Sequence, residues 1–223
     1  MKPTKNKELI FDECNRCYVT YPISNISSNV QNYAYAIAQS ISEKQKLSQP
    51  GSLPYALFGA IPSTASLYIK LGRNFEKWFK YLVSETNGFE LLSDGLTKGI
   101  VAGKKKDVDF IFKDESTKTI YYRELKSNTE LDTEKLPATV DKIKKISIYL
   151  NELYTEYNVD CGLLTWSVYD RDMLPANDAR LKTFKEADIN VMFPKDLFET
   201  LGQPISKDDY TNLLRNIGNI CKK

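Results

Sequence analysis

The sequence predicts an α/β protein with a mixed central β-sheet flanked by helices and with an N-terminal helical extension. In the second half of the chain, strand-like runs alternate with helical runs, which is typical of crossovers between parallel strands. Near the middle, two strand-like runs are joined by a short turn, which predicts an antiparallel pair. The composition is that of a globular protein, since 42% of the 223 residues are hydrophobic and 27% are charged.

The N-terminal extension is predicted by small and apolar residues that recur at helical spacing between Ser24 and about Leu47. The next stretch, from Ser48 to Ser66, is rich in proline, glycine and serine and is expected to be a connector or an exposed loop. We therefore divide the chain into residues 1–66, a helical segment with a loop, and residues 67–223, the core.

The core begins with a predicted helix over residues 73–84, because its apolar residues recur at helical intervals. Glu76 borders the apolar stripe of this helix. Two strands are then predicted over residues 107–112 and 119–126, with a turn over residues 113–116 between them.

The longest helical pattern covers Leu136 to Tyr157, and Pro137 suits its first turn. Three lysines of this helix are expected on its outer face: Lys142, Lys144 and Lys145. The remaining predicted elements are, in order, a strand over residues 161–168, a strand over 189–193, a helix from Pro194 and a helix over 207–221.

Charge and residue types exclude several kinds of chemistry. Histidine is absent, which excludes Ser-His and Cys-His nucleophile pairs and imidazole metal sites. The 31 basic and 29 acidic residues leave a net charge of +2, so a polyanionic partner would need a local basic surface. The sequence has no run of 18 apolar residues and starts without a signal-peptide core, so we expect a cytoplasmic protein without membrane contact.

Charged side chains converge at one end of the predicted hairpin. Side chains alternate between the faces of a strand, so Asp107 and Asp109 share one face of the first strand. Glu124 and Lys126 share one face of the second strand, and neighbouring strands would bring these groups together. Two carboxylates can hold a hard cation such as Mg²⁺, which acidifies a bound water. A lysine can orient that water and offset charge on a phosphate.

This pattern resembles the PD-(D/E)xK nuclease superfamily, in particular the type II restriction endonucleases. Asp109, a turn and then Glu124-Leu125-Lys126 match its motif, and the resemblance covers roughly residues 71–202. It implies a restriction-endonuclease-like core that cleaves DNA phosphodiesters with Mg²⁺. It also implies metal ligands at Asp109, Glu124 and Glu76, and a water-orienting catalytic lysine at Lys126.

Two features of the motif leave alternatives open. Val108 stands where the family has a proline that is often lost, and Asp107 competes with Asp109 for the role of ligand. We prefer Asp109 because it immediately precedes the Phe-Ile-Phe run. Each of these charged side chains also has a structural interpretation, as a cross-strand or helical ion pair or as a strand cap.

Contacts to DNA are expected from two polar regions. Lys104 and Lys105 belong to a basic run beside the proposed metal site and could contact backbone phosphates. Arg171, Asn177 and Arg180 lie in a polar stretch that could contact base edges in the major groove. An ordinary surface loop is the alternative for both regions.

The sequence therefore predicts a Mg²⁺-dependent type II restriction endonuclease that cuts double-stranded DNA at a palindromic site. A palindromic site implies a homodimer, and a restriction enzyme implies a cognate DNA methyltransferase that acts on the same site. A repair, junction-resolving or nicking nuclease of the same fold is one alternative, and a non-catalytic nucleic-acid-binding module is another.

Overall fold

The protein contains a mixed, five-stranded open sheet with flanking helices, which confirms the predicted α/β class. The chain forms two compact units, one of residues 1–78 and 205–223 and the other of residues 79–204. In the described part of the chain, the helices are too short or too polar to cross a membrane. The computed structural model describes residues 10–11, 17–18, 32–38, 41, 49–50, 56–57, 64–92, 108–127 and 135–221.

The elements are numbered in chain order. The strands are β1 (Ile10–Phe11), β2 (Cys17–Tyr18), β3 (Phe89–Leu91), β4 (Phe110–Asp114), β5 (Thr119–Lys126), β6 (Asn158–Thr165) and β7 (Asn190–Met192). The helices are α1 (Thr64–Glu85), α2 (Lys135–Leu153), α3 (Ala179–Glu186), α4 (Pro194–Thr200) and α5 (Lys207–Cys221).

The first unit contains helical residues 32–38, which fall inside the predicted N-terminal helix. Tyr33 and Trp78 of this unit pack with their ring centroids 5.4 Å apart. Helix α1 begins within the predicted connector, because Leu67 and Leu71 continue the four-residue spacing of Phe75 toward the N-terminus. The rest of residues 1–66 lies largely outside the described residues, and the division at residue 66 stays a prediction.

The sheet belongs to the second unit and has the order β3-β4-β5-β6-β7. The first three strands are antiparallel, as the hairpin pattern predicts, and β5, β6 and β7 are parallel. Helix α2 connects β5 to β6 and forms the predicted βαβ crossover. Strand β3 was not predicted, since three residues are too few to establish an alternating pattern.

The β4–β5 turn lies later in the chain than predicted, over residues 115–118. Asp114 fixes its position, because its Oδ1 accepts a hydrogen bond from Ser116 N at 2.8 Å and its Oδ2 accepts one from Thr117 Oγ1 at 2.7 Å. An aspartate that bonds the backbone two residues ahead is a common turn initiator. The prediction of a turn over residues 113–116 was wrong because these hydrogen bonds place the turn after Asp114.

One face of the sheet packs against α2 and forms a buried core. From the sheet, Ile111, Ile120 and Leu163 contribute to this core, and from the helix, Ile143 and Ile146 do so. Burying such side chains contributes about 1.5–3 kcal/mol each to folding. The packing fixes which side of α2 lies over β5, and this determines which helix residues can reach the end of that strand.

The last strand, β7, approaches β6 closely at Gly162. A Cβ atom on residue 162 would overlap the carbonyl oxygen of Asn190, so only glycine lets the two strands pair here. After β6, the predicted polar stretch contains α3, which was not predicted as a helix. Asp178 caps it by accepting hydrogen bonds from Arg180 N and Leu181 N, each at 3.0 Å.

Candidate active site

The motif residues meet at the end of the sheet where the parallel strands have their carboxyl ends. Strand β4 runs antiparallel to β5 and pairs Phe110 with Arg123, so Asp109 lies beside Glu124 at the start of β4. The parallel strands β5, β6 and β7 end at the same edge. Ligand sites of open α/β sheets lie characteristically at the carboxyl ends of their parallel strands.

Glu124 is the centre of a buried polar cluster. Its side chain is 6% exposed, and its Oε1 accepts a hydrogen bond from Lys126 Nζ at 2.8 Å. Its Oε2 lies 2.6 Å from Lys142 Nζ and accepts a hydrogen bond from the Tyr122 hydroxyl at 2.8 Å. Burial alone would raise the pKa of Glu124, but Lys142 and Lys126 outweigh it and lower the pKa below its usual value.

Asp109 is held by one backbone hydrogen bond, since its Oδ2 accepts from Leu125 N at 3.0 Å. Burial and the charge of Glu124 raise the pKa of Asp109 from 3.8 to about 6, and the nearby lysines only partly offset this increase. The structure thus places two carboxylates within electrostatic reach of each other, and Asp109 is the one whose charge is poorly compensated.

The donor set suits a hard divalent cation. Mg²⁺ is bound in proteins by one or two carboxylates and keeps several waters, and Asp109 with Glu124 supplies two carboxylates. Over residues 64–92, 108–127 and 135–221, no group of three or more acidic, cysteine or histidine side chains could hold a metal. Water and bound substrate would complete the coordination of a cation that this pair holds.

Lys142 and Tyr122 are members of the cluster that were not predicted as site residues. The prediction that Lys142 lies on the outer face of its helix was wrong, since its side chain is 18% exposed and pairs with Glu124. Lys142 lies three residues after Thr139 and four before Ile146, both buried, so it shares their face. Lys144 and Lys145 are exposed as predicted.

The remaining predicted metal ligand is Glu76, and the remaining predicted phosphate contacts are Lys104 and Lys105. Glu76 is a partly exposed residue of α1 in the first compact unit. Lys104, Lys105 and the alternative ligand Asp107 lie outside the described residues. The predictions for these residues are unchanged.

The predicted base-contacting stretch is more ordered than a plain loop. Arg171 begins a short 3₁₀ helix, and its guanidinium donates to the carbonyls of Leu174 at 3.1 Å and Ala176 at 3.0 Å. Asn177 is exposed, and Arg180 lies in the first turn of α3. Arg171 therefore holds its own loop, which leaves Asn177 as the exposed polar side chain of the predicted set.

The sequence matches no protein-family model and no curated protein at a significant level. The interpretation of the site therefore rests on its geometry and chemistry.

Proposed function

We propose that the protein is a Mg²⁺-dependent endonuclease of the PD-(D/E)xK type, and specifically a type II restriction enzyme that cuts double-stranded DNA at a palindromic site. The observation that carries the proposal is the meeting of Asp109 with Glu124 and Lys126 at the end of adjacent strands. The element order also supports it, because helix α1 and strand β3 precede the two motif strands, and a helix and a further strand follow them.

In this proposal each motif residue has a separate role. Asp109 and Glu124 hold the cation through their carboxylate oxygens, and Lys126 orients the attacking water and offsets charge on the phosphate. When bound, Mg²⁺ supplies an acidified water and further stabilisation of the negative charge that grows on the phosphate. The expected products carry 5′-phosphate and 3′-hydroxyl ends.

A purely structural role accounts for Glu124 better than for Asp109. Glu124 is compensated by two lysines and a tyrosine, as a buried structural carboxylate should be. Asp109 is different, because its raised pKa means that its charged form costs folding free energy at neutral pH. Groups that are kept charged at such a cost are concentrated at functional sites.

Recognition of a palindrome calls for a two-fold symmetric enzyme, so the proposal includes a homodimer in the cytoplasm. It also includes a cognate DNA methyltransferase that protects the same sequence in the host. Lys104 and Lys105 are proposed phosphate contacts. Asn177 and Arg180 are the proposed base contacts, and Arg171 holds their segment through its bonds to the carbonyls of Leu174 and Ala176. Glu76 is the proposed additional metal ligand.

Digestion of unmethylated phage DNA by the purified protein tests this function. We expect discrete fragments in the presence of Mg²⁺ and intact DNA in the presence of EDTA. Methylation of the identified site should block cutting, and sequencing of the fragment ends gives the recognition sequence. Intact linear duplex together with cleavage of branched DNA would favour a repair or junction-resolving nuclease. Intact DNA of every form with Mg²⁺ or Mn²⁺ would contradict the proposed activity.

A further inference from the structure

Lys142 has a position that the motif does not account for. It belongs to α2 and not to the motif strands, yet its Nζ lies 2.6 Å from Glu124 Oε2. Its side chain is less exposed than that of Lys126, 18% against 30%. An ammonium group this shielded is held in place by the carboxylate that it faces.

The electrostatic effect of Lys142 extends to both carboxylates of the site. Lys142 lowers the pKa of Glu124, as Lys126 does, and both lysines also lower the pKa of Asp109. Its Nζ lies at Glu124 Oε2, and its charge also acts on Asp109. A cation that is bound by Glu124 Oε2 would need the place that this ammonium group takes.

We propose that Lys142 is an internal counter-ion that occupies the cation position while the site holds no metal. This inference rests on the proposed function, since it concerns the cation that the nuclease would use. The cluster contains two carboxylates and two ammonium groups, so it is neutral as it stands. Lys142 must leave Glu124 Oε2 before that oxygen can serve as a metal ligand, and its flexible four-carbon stem allows this movement.

This arrangement weakens cation binding. The carboxylates gain less from a cation because they already have a positive partner, and the displaced ammonium repels the arriving charge. Lys142 is thus a competitor, and its removal strengthens cation binding. The opposite result is expected if Lys142 only holds Glu124 in position, because its loss would then weaken cation binding.

Titration of Mn²⁺ into the DNA-free protein, followed by electron paramagnetic resonance, distinguishes these outcomes. At pH 8 we expect Lys142→Met to bind Mn²⁺ roughly 10-fold more tightly than the wild type, a factor equal to about 1.4 kcal/mol. Lys142→Arg keeps the positive charge and should remain close to the wild type. Lys144→Met is the matched control, since it removes an exposed lysine of the same helix and should leave the affinity nearly unchanged.

A thermal melt verifies that each variant is folded at the titration temperature. Weaker or unchanged Mn²⁺ binding by Lys142→Met would overturn the inference, and if the wild type still cleaves DNA, the proposed function survives. Absence of Mn²⁺ binding by the wild type and by Lys142→Met would overturn both. Where cleavage is observed, the Mg²⁺ concentration for half-maximal rate should be lower for Lys142→Met than for the wild type.

Discussion

Replacement of Glu124 by glutamine is expected to lower the DNA cleavage rate by about 10³-fold, because it removes a proposed metal ligand worth roughly 4 kcal/mol in the transition state. The same change should destabilise the protein by about 1–3 kcal/mol, since two lysines lose their carboxylate partner and Lys142 is mostly buried. Cleavage of the phage DNA and urea unfolding of the same preparation measure the two effects.

Two further variants make the result specific to the site. Glu115→Gln changes a partly exposed glutamate at the turn of the same hairpin, where it pairs with Lys113 and Lys118, and cleavage should be unaffected. Lys126→Met should abolish cleavage without weakening Mn²⁺ binding, because the lysine orients water and is not a ligand. Wild-type cleavage by Glu124→Gln would contradict the assignment of Glu124.

Replacement of Asp109 by asparagine is expected to abolish cleavage to a similar extent but to stabilise the protein. The amide oxygen can still accept the hydrogen bond from Leu125 N, while the unfavourable charge beside Glu124 is removed. We expect a gain of about 1–2 kcal/mol in the free energy of unfolding at pH 8, measured without divalent cations. The two carboxylates of one site would then have the same effect on activity and opposite effects on stability.

The gain from Asp109→Asn should depend on pH in a defined way. The pKa of Asp109 is raised from 3.8 to about 6 in the folded protein, so the folded state binds more protons than the unfolded state between these values. The contribution of Asp109 to stability is therefore present below about pH 4 and is lost as the pH rises through 6. The difference between the variant and the wild type should appear over this interval and stay constant above pH 7. A variant that is less stable than the wild type at pH 8 would contradict this account of Asp109.

The central part of the site could be predicted from the sequence because strand alternation is a strict geometric rule. The bounds of β5 follow the pattern of residues 119–126, and the shared face of Glu124 and Lys126 follows from their spacing. The antiparallel pairing with β4 then places Asp109 next to Glu124. The sequence therefore predicted that Asp109, Glu124 and Lys126 come together.

The buried environment of Lys142 could not be predicted in this way, because a lysine at the border of an apolar stripe is usually exposed. Its spacing from Thr139 and Ile146 was a usable signal, but the spacing does not reveal that a carboxylate lies opposite. That fact depends on how α2 packs over β5. A long-range contact of this kind has no local signature in the sequence.

Short and polar elements account for the other differences. Strand β3 has three residues, and α3 is a polar helix with one buried side chain, Phe184, so neither has a strong periodic pattern. The position of the β4–β5 turn depends on the side-chain hydrogen bonds of Asp114. The alternation of hydrophobic residues does not predict these bonds. At the turn, a local interaction therefore outweighs the hydrophobic pattern.

A crystal structure with Mn²⁺ and anomalous diffraction tests the central claim most directly. We predict an anomalous peak about 2.2 Å from carboxylate oxygens of both Asp109 and Glu124, with Lys142 Nζ moved away from Glu124 Oε2. A peak at another place on the protein, or none at saturating Mn²⁺ with both lysines still bonded to Glu124, would contradict the assignment of this cluster as a nuclease metal site.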